Sequence, residues 1–154
     1  MAKRGVDLSS LTEKLRNSGL KLTHQRMEVL REVSCCSDHP DAKQIYERVR
    51  TRIPAVSLDT VYRTLWTLKE VGLLNTLGPS QERVRFDANT DPHHHFICTR
   101  CGRTEDFYDD RFNSLKIPRE VRRMGAVEQA RVEFRGICTK CKKPDHRMTK
   151  TGKR

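Results

Sequence analysis

The sequence predicts an α+β chain in two parts, and three observations carry that expectation. Four segments between residues 8 and 69 repeat apolar side chains at the three-to-four-residue spacing of amphipathic helices. Residues 73–87 then read as strand, turn and strand. Beyond residue 90, short alternating segments carry three consecutive histidines and two Cys-x-x-Cys pairs, a pattern of strands built around metal.

The first helix runs from Leu8 to Asn17, with Leu11 and Leu15 on one face and Ser9, Ser10 or Thr12 available as caps. Ser18-Gly19 ends it. Thr23 caps a second helix over 24–34, with Met27, Leu30 and Val33 inward. Cys35 and Cys36 are adjacent, a poor geometry for one tetrahedral site, and read as unligated, oxidation-prone thiols. Pro40 suits the first turn of a third helix over 41–52, buried through Ile45 and Val49. His39, at its entry, reads locally as a bystander or a ligand.

Ser57 caps the fourth helix, whose Leu58, Val61, Leu65, Leu68 and Val71 form one apolar stripe. Its other face shows Asp59, Thr60, Tyr62, Arg63 and Thr67, a set suited to the major groove, where arginine pairs with guanine. An ordinary amphipathic helix has the same spacing. Gly72 stops the helix, and a hairpin follows through Gly78-Pro79-Ser80-Gln81 to Asp87. Helices followed by such a hairpin make a winged helix-turn-helix, and residues 88–91 form a short polar linker.

In the second part, an extended chain from His93 to Cys98 alternates its faces. His93 and His95 point one way, while His94 and Cys98 point the other, which predicts an imidazole site and a thiolate site on one strand. Residues 103–108 supply a return strand, a helix lies around 118–124, and 130–135 alternates as a third strand leading into Cys138. Cys98, Cys101, Cys138 and Cys141 read as one four-thiolate zinc site, with 36 residues between the two pairs.

Composition sets the outer bounds. In 154 residues, 35% are hydrophobic and 33% charged, so the core is modest and wants a staple or a partner. No run reaches the roughly 20 apolar residues of a membrane span. Met1-Ala2-Lys3-Arg4 lacks the apolar segment of a signal peptide, so the expected location is cytoplasmic, with reduced thiols. The net charge of +11 permits a nucleic-acid partner without assigning one. Residues 140–154 carry seven basic and one acidic residue, and 143–154 are expected to be a mobile basic tail.

Six segments, in order, resemble the ferric uptake regulator family of bacterial metal-dependent repressors. They are Gly19-Leu20-Lys21-Leu22-Thr23-x-Gln25-Arg26, His39-Pro40-x-Ala42, Ser57-Leu58-x-Thr60-Val61-Tyr62-Arg63-Thr64-Leu65, Arg85-Phe86-Asp87, His93-x-His95-x-x-Cys98-x-x-Cys101-Gly102 and Cys138-x-x-Cys141. The resemblance implies a regulator rather than an enzyme, and a homodimer bound to a double-stranded DNA operator. A winged-helix DNA-binding domain with hinge would cover residues 1–89, and a small zinc-clamped α/β dimerisation domain 90–142.

The likeness is greatest to the peroxide-responsive branch. There the regulatory metal, Fe2+ or Mn2+, is held by residues matching His39, Asp87, His93, His95 and Asp106, beside a structural Zn2+. Iron-responsive members tend to carry glutamate where Asp87 and Asp106 stand, and many have a further histidine where Ile137 stands. Glu105 adjoins Asp106, and His94 replaces a tyrosine or aspartate. Three neutral imidazoles and two carboxylates give a neutral site for a divalent ion, with room for a sixth ligand. Ferrous iron would reduce hydrogen peroxide there, His39 or His93 would be oxidised, and DNA would be released. Lys21 would reach the minor groove and Tyr62 and Arg63 the bases, with Ser57 and Thr60 beside them. The alternative within the family is a plain iron-, manganese- or zinc-responsive repressor. A zinc hydrolase using the histidine cluster would need an open metal position and a general base beside it.

Overall fold

The computed structural model describes residues 6–78, 84–128 and 130–142. The expected basic tail, and the wing turn from Pro79 to Arg83, lie outside the described residues. The chain divides into two compact units, Met1–Asp91 and Pro92–Arg154.

The first unit is helical. Its elements are α1 (Leu8–Asn17), α2 (His24–Cys35), α3 (Ala42–Val49) and α4 (Leu58–Glu70), followed by β1 (Asn75–Leu77) and β2 (Arg85–Asp87). Side-chain caps start all four helices. Thr23 and Ser57 cap α2 and α4 as expected, whereas the cap of α1 is Asp7, two to five residues before the expected hydroxyls. Its carboxylate accepts from the Ser9 backbone at 3.0 Å, a stronger charge-assisted acceptor than a hydroxyl. At α3, Pro40 precedes the helix and Asp41 caps it, in a reciprocal box with Gln44.

One core gathers these elements: Leu11 and Leu15 from α1, Val29, Leu30 and Val33 from α2, Ile45 and Val49 from α3, Val61, Leu65 and Leu68 from α4, and Phe86 from β2. The α4 stripe is shorter than its spacing suggests. Leu58 and Val71, at its two ends, are 45% and 37% exposed. Trp66 packs edge-on against Phe86 with ring centroids 6.1 Å apart, joining α4 to the hairpin. Strands β1 and β2 pair antiparallel, Asn75 opposite Asp87.

The second unit is a three-stranded sheet in the order β4-β3-β5, with short helices around it. Strands β3 (His94–Cys98) and β4 (Thr104–Phe107) pair antiparallel. Strand β5 (Glu133–Gly136) lies parallel to β3 on its other side. Between them come α5 (Asp110–Asn113) and α6 (Arg119–Met124), and α7 (Thr139–Lys142) follows β5. No periodicity in the sequence announces α5 or α7, each a single turn. Among the described residues the buried apolar side chains of this unit are Cys98 and Cys138 alone. Leu115, Val121, Met124, Phe134 and Ile137 stay exposed. So small a core asks for a staple and a covering partner. No described helix is long and apolar enough to cross a membrane.

Candidate metal centres and DNA-reading helix

The thiolate site is assembled by strand pairing. Strand β3 ends at Cys98, and a tight turn closes with Gly102 N–H on the Cys98 carbonyl at 2.8 Å. Gly102 adopts φ +71°, which glycine takes without strain, and Cys101 lies on this turn. The parallel register sets Cys98 beside Gly136, so β5 delivers Cys138 to the same sheet end. The turn of α7 brings Cys141 back, and Arg100 donates to the Cys141 carbonyl at 2.9 Å.

All four sulfurs lie within 4.8 Å of one another. Cys101 and Cys138 are 3.8 Å apart, too far for a disulfide and equal to the edge of a tetrahedron with Zn–S bonds of about 2.3 Å. The Cys138 backbone N–H donates to Cys98 Sγ at 3.3 Å. With the N–H of Cys101 it holds the Cys98 thiol down to about 6, while hydrogen bonds to the Cys138 and Cys101 thiols push Cys141 up. Four sulfurs this close ionise together only around a cation. The donor set and spacing fit zinc.

The opposite face of β3 carries the imidazoles. His93 Nε2 and His95 Nε2 are 2.9 Å apart, and His95 Nε2 lies 3.6 Å from Asp106 Oδ1. Two nitrogens bound to one metal at right angles, each at about 2.1 Å, would be about 3.0 Å apart. The antiparallel register explains the carboxylate. Asp106 stands opposite His95, whereas Glu105 stands opposite Phe96 on the other face, paired with Arg103 at 2.7 Å. Residue 106, not 105, therefore accompanies the histidines.

His94 points away from this cluster, as parity requires. It is buried between Phe107 and Phe112, each with its ring centroid 5.4 Å away. Its Nδ1 accepts from the Val132 backbone at 3.4 Å, and its Nε2 has no hydrogen-bond partner. His94 is thus a core residue of the aromatic face.

In the first unit, His39 and Asp87 are both buried, with His39 Nε2 3.9 Å from Asp87 Oδ1. Asp87 ends β2, and its Oδ1 accepts from the Asn89 backbone at 2.8 Å. His39 adopts φ +50°, the one positive value among described non-glycine residues. Its loop is tied to β2, where Phe86 N–H donates to the Pro40 carbonyl at 3.0 Å and Asp41 bridges to Arg85. Each unit thus brings together its own subset of the expected ligands.

The unligated cysteines differ from one another. Cys35 is exposed, whereas burial pushes the half-buried Cys36 thiol up to about 11. That burial disfavours the Cys36 thiolate, the form in which a thiol reacts with oxidants. Arg48 Nη1 donates to its sulfur at 2.6 Å. That contact spans twelve residues and has no sequence signature.

On α4, Ser57 caps the helix and its hydroxyl lies 2.8 Å from that of Thr60. Tyr62 and Arg63 are exposed, and Arg63 Nε meets Asp59 Oδ2 at 3.0 Å. Both side chains of that pair are 74% exposed. Lys21 is exposed in the connection between α1 and α2.

Residues 17–135 match the model of the ferric uptake regulator family. The peroxide-responsive repressor PerR of Staphylococcus epidermidis is 30% identical over 136 residues, covering 88% of this chain and 91% of that protein. Its Staphylococcus aureus counterpart (strain Mu50) is 31% identical over 135 residues, with the same coverage. Among solved structures, the Helicobacter pylori ferric uptake regulator superposes with a TM-score of 0.73 at 27% identity, covering 94% of this chain and 99% of that one. The Campylobacter jejuni peroxide stress regulator does so with a TM-score of 0.65 at 27% identity, covering 87% and 98%.

Proposed function

Because this chain belongs to the ferric uptake regulator family, we propose that it is a metal-dependent, DNA-binding repressor that senses hydrogen peroxide. The observation that carries the reading is the pair of imidazole nitrogens 2.9 Å apart with the Asp106 carboxylate beside them. Nitrogen and oxygen donors suit iron or manganese, in contrast to the thiolate cluster, which suits zinc.

In this reading Zn2+ sits among Cys98, Cys101, Cys138 and Cys141 and fixes the end of the second unit. The regulatory Fe2+ or Mn2+ takes His93, His95 and Asp106 from that unit, with His39 and Asp87 from the first. Three neutral imidazoles and two carboxylates balance a divalent charge. Because the ligands come from both units, binding the ion restricts the hinge between them. Metal occupancy is thereby coupled to the presentation of α4. In a homodimer, two copies of α4 would enter successive major grooves. Tyr62 and Arg63 would read bases, Ser57 and Thr60 would meet the backbone at the helix start, and Lys21 would reach the minor groove.

Bound ferrous iron would supply the reduction of hydrogen peroxide, with one oxygen passing to the ring of His39 or His93 and the other leaving as water. An oxidised ring would be a weaker ligand, so His39 or His93 would hold the metal less well and α4 would lose its fixed presentation. Manganese supports DNA binding without this chemistry. The peroxide-responsive relatives at 30% and 31% identity favour this reading. A plain metal-responsive repressor is the second reading, favoured by the superposition on the Helicobacter pylori ferric uptake regulator at a TM-score of 0.73.

Peptide mass spectrometry separates the two. The protein is loaded with Fe2+ or Mn2+ and treated with dilute peroxide. One added oxygen on the His39 or His93 peptide, in the iron sample alone, is the expected result. Unmodified peptides together with metal-dependent DNA binding would assign the plain metal-responsive reading instead.

A further inference from the structure

We propose that Arg48, on α3, is a positioning residue that holds His39 ready for the regulatory metal. The inference rests on the ligand assignment above and goes beyond it, because Arg48 belongs to neither the metal-ligand set nor the DNA-reading set.

The starting point is the backbone of His39. At φ +50° it lies in the left-handed region, which costs a residue with a Cβ. The proline that follows makes the matter worse, since a residue before proline prefers extended backbone. Histidine is among the residues that tolerate positive φ best, but the proline after it opposes that conformation. It persists because its neighbours are held from outside.

Those holds come from two elements of the first unit. Arg48 Nη2 donates to Asp38 Oδ2 at 2.9 Å, directly before His39. Its Nη1 reaches Cys36 Sγ at 2.6 Å and lies 3.8 Å from Glu32 on α2. One planar guanidinium therefore fastens α3 to α2 and to the loop between them. From the other side, Arg85 donates to the Asp38 carbonyl at 3.3 Å and Phe86 N–H to the Pro40 carbonyl at 3.0 Å. Strand β2, which bears Asp87, is thus registered against the loop that bears His39. Arg48 is the member whose loss leaves the core intact, since Ile45 and Val49 make the buried face of α3.

Without Arg48, Cys36 and Asp38 lose these contacts to α3, and His39 can relax toward extended backbone. The competent conformer becomes a fraction of the population, and the apparent metal affinity falls by that fraction. Lysine is a partial substitute: one ammonium can meet Asp38 but cannot span Asp38 and Cys36 together.

The test is a Mn2+ titration of zinc-loaded protein by calorimetry for wild type, R48M, R48K, H39A and the R48M/H39A double variant, each checked for an unchanged melting temperature. R48M is expected to weaken Mn2+ about tenfold, with R48K between it and wild type. Because Arg48 acts through His39, R48M should cost nothing further in the H39A background. A wild-type Mn2+ affinity in R48M, or a tenfold penalty that persists without His39, would overturn the proposal. An H39A titration identical to wild type would refute the ligand assignment itself and this inference with it. A melting temperature lowered in R48M but not in R48K is decided by the R48K titration, where a wild-type affinity counts against the positioning role.

Discussion

Single residues decide which chemistry each face of the second sheet supports. The alternation of a strand is a local property, so the separation of His93 and His95 from His94 is readable from residue order alone. The choice between Asp106 and Glu105 is not. It depends on the register of β4 against β3, where a slip of one residue would exchange the two carboxylates. On α4, proposed to read DNA, the matching question concerns Arg63. Its side chain is 74% exposed beside Asp59, and an arginine in that position can pair with the O6 and N7 atoms of guanine. Arg63→Ala is expected to cost about 1–3 kcal/mol of operator binding. The measurement is a gel-shift titration of Mn2+-loaded protein on a duplex selected from a random pool. Zinc content and dimerisation should be unchanged. Equal affinity of variant and wild type would remove Arg63 from the recognition surface.

At the scale of elements, caps and apolar spacing do most of the work in the first unit. Thr23, Asp41 and Ser57 each place a side-chain oxygen on an otherwise unpaired backbone N–H. Leu65 lies at the centre of the α4 stripe and is fully buried. Leu65→Ala is expected to destabilise the protein by about 2–5 kcal/mol, read from urea unfolding of the zinc-loaded form. Leu58→Ala, at the 45% exposed end of the same stripe, should cost under 1 kcal/mol by roughly proportional burial. Comparable costs would mean that Leu58 is covered in solution. Spacing alone could not separate these two leucines. Periodicity gives the direction of a side chain, whereas burial depends on whether another element extends far enough to cover it.

At the scale of the molecule, the two units are stabilised in different ways. The first has a shared core of leucine, valine, isoleucine and phenylalanine. The second, among its described residues, buries two cysteines and surrounds His94 with aromatic rings. Cys138→Ser is therefore expected to lose zinc and dimerisation while the helices of the first unit stay folded. A colorimetric zinc assay, size-exclusion chromatography and circular dichroism measure the three effects. A variant that retained a stable dimer without zinc would show that the thiolate cluster is dispensable for assembly. The sequence by itself determined the helix order, the hairpin, the two cysteine pairs and the alternation of the histidine strand. Each rests on interactions among residues close in the chain, where spacing fixes direction. Tertiary structure alone decided that β5 lies parallel to β3 and carries Cys138 to Cys98, that Asp106 faces His95, and that Arg48 reaches back to Asp38 and Cys36. Those contacts join residues ten to forty positions apart. Their geometry is set by how whole elements pack, which no local pattern encodes.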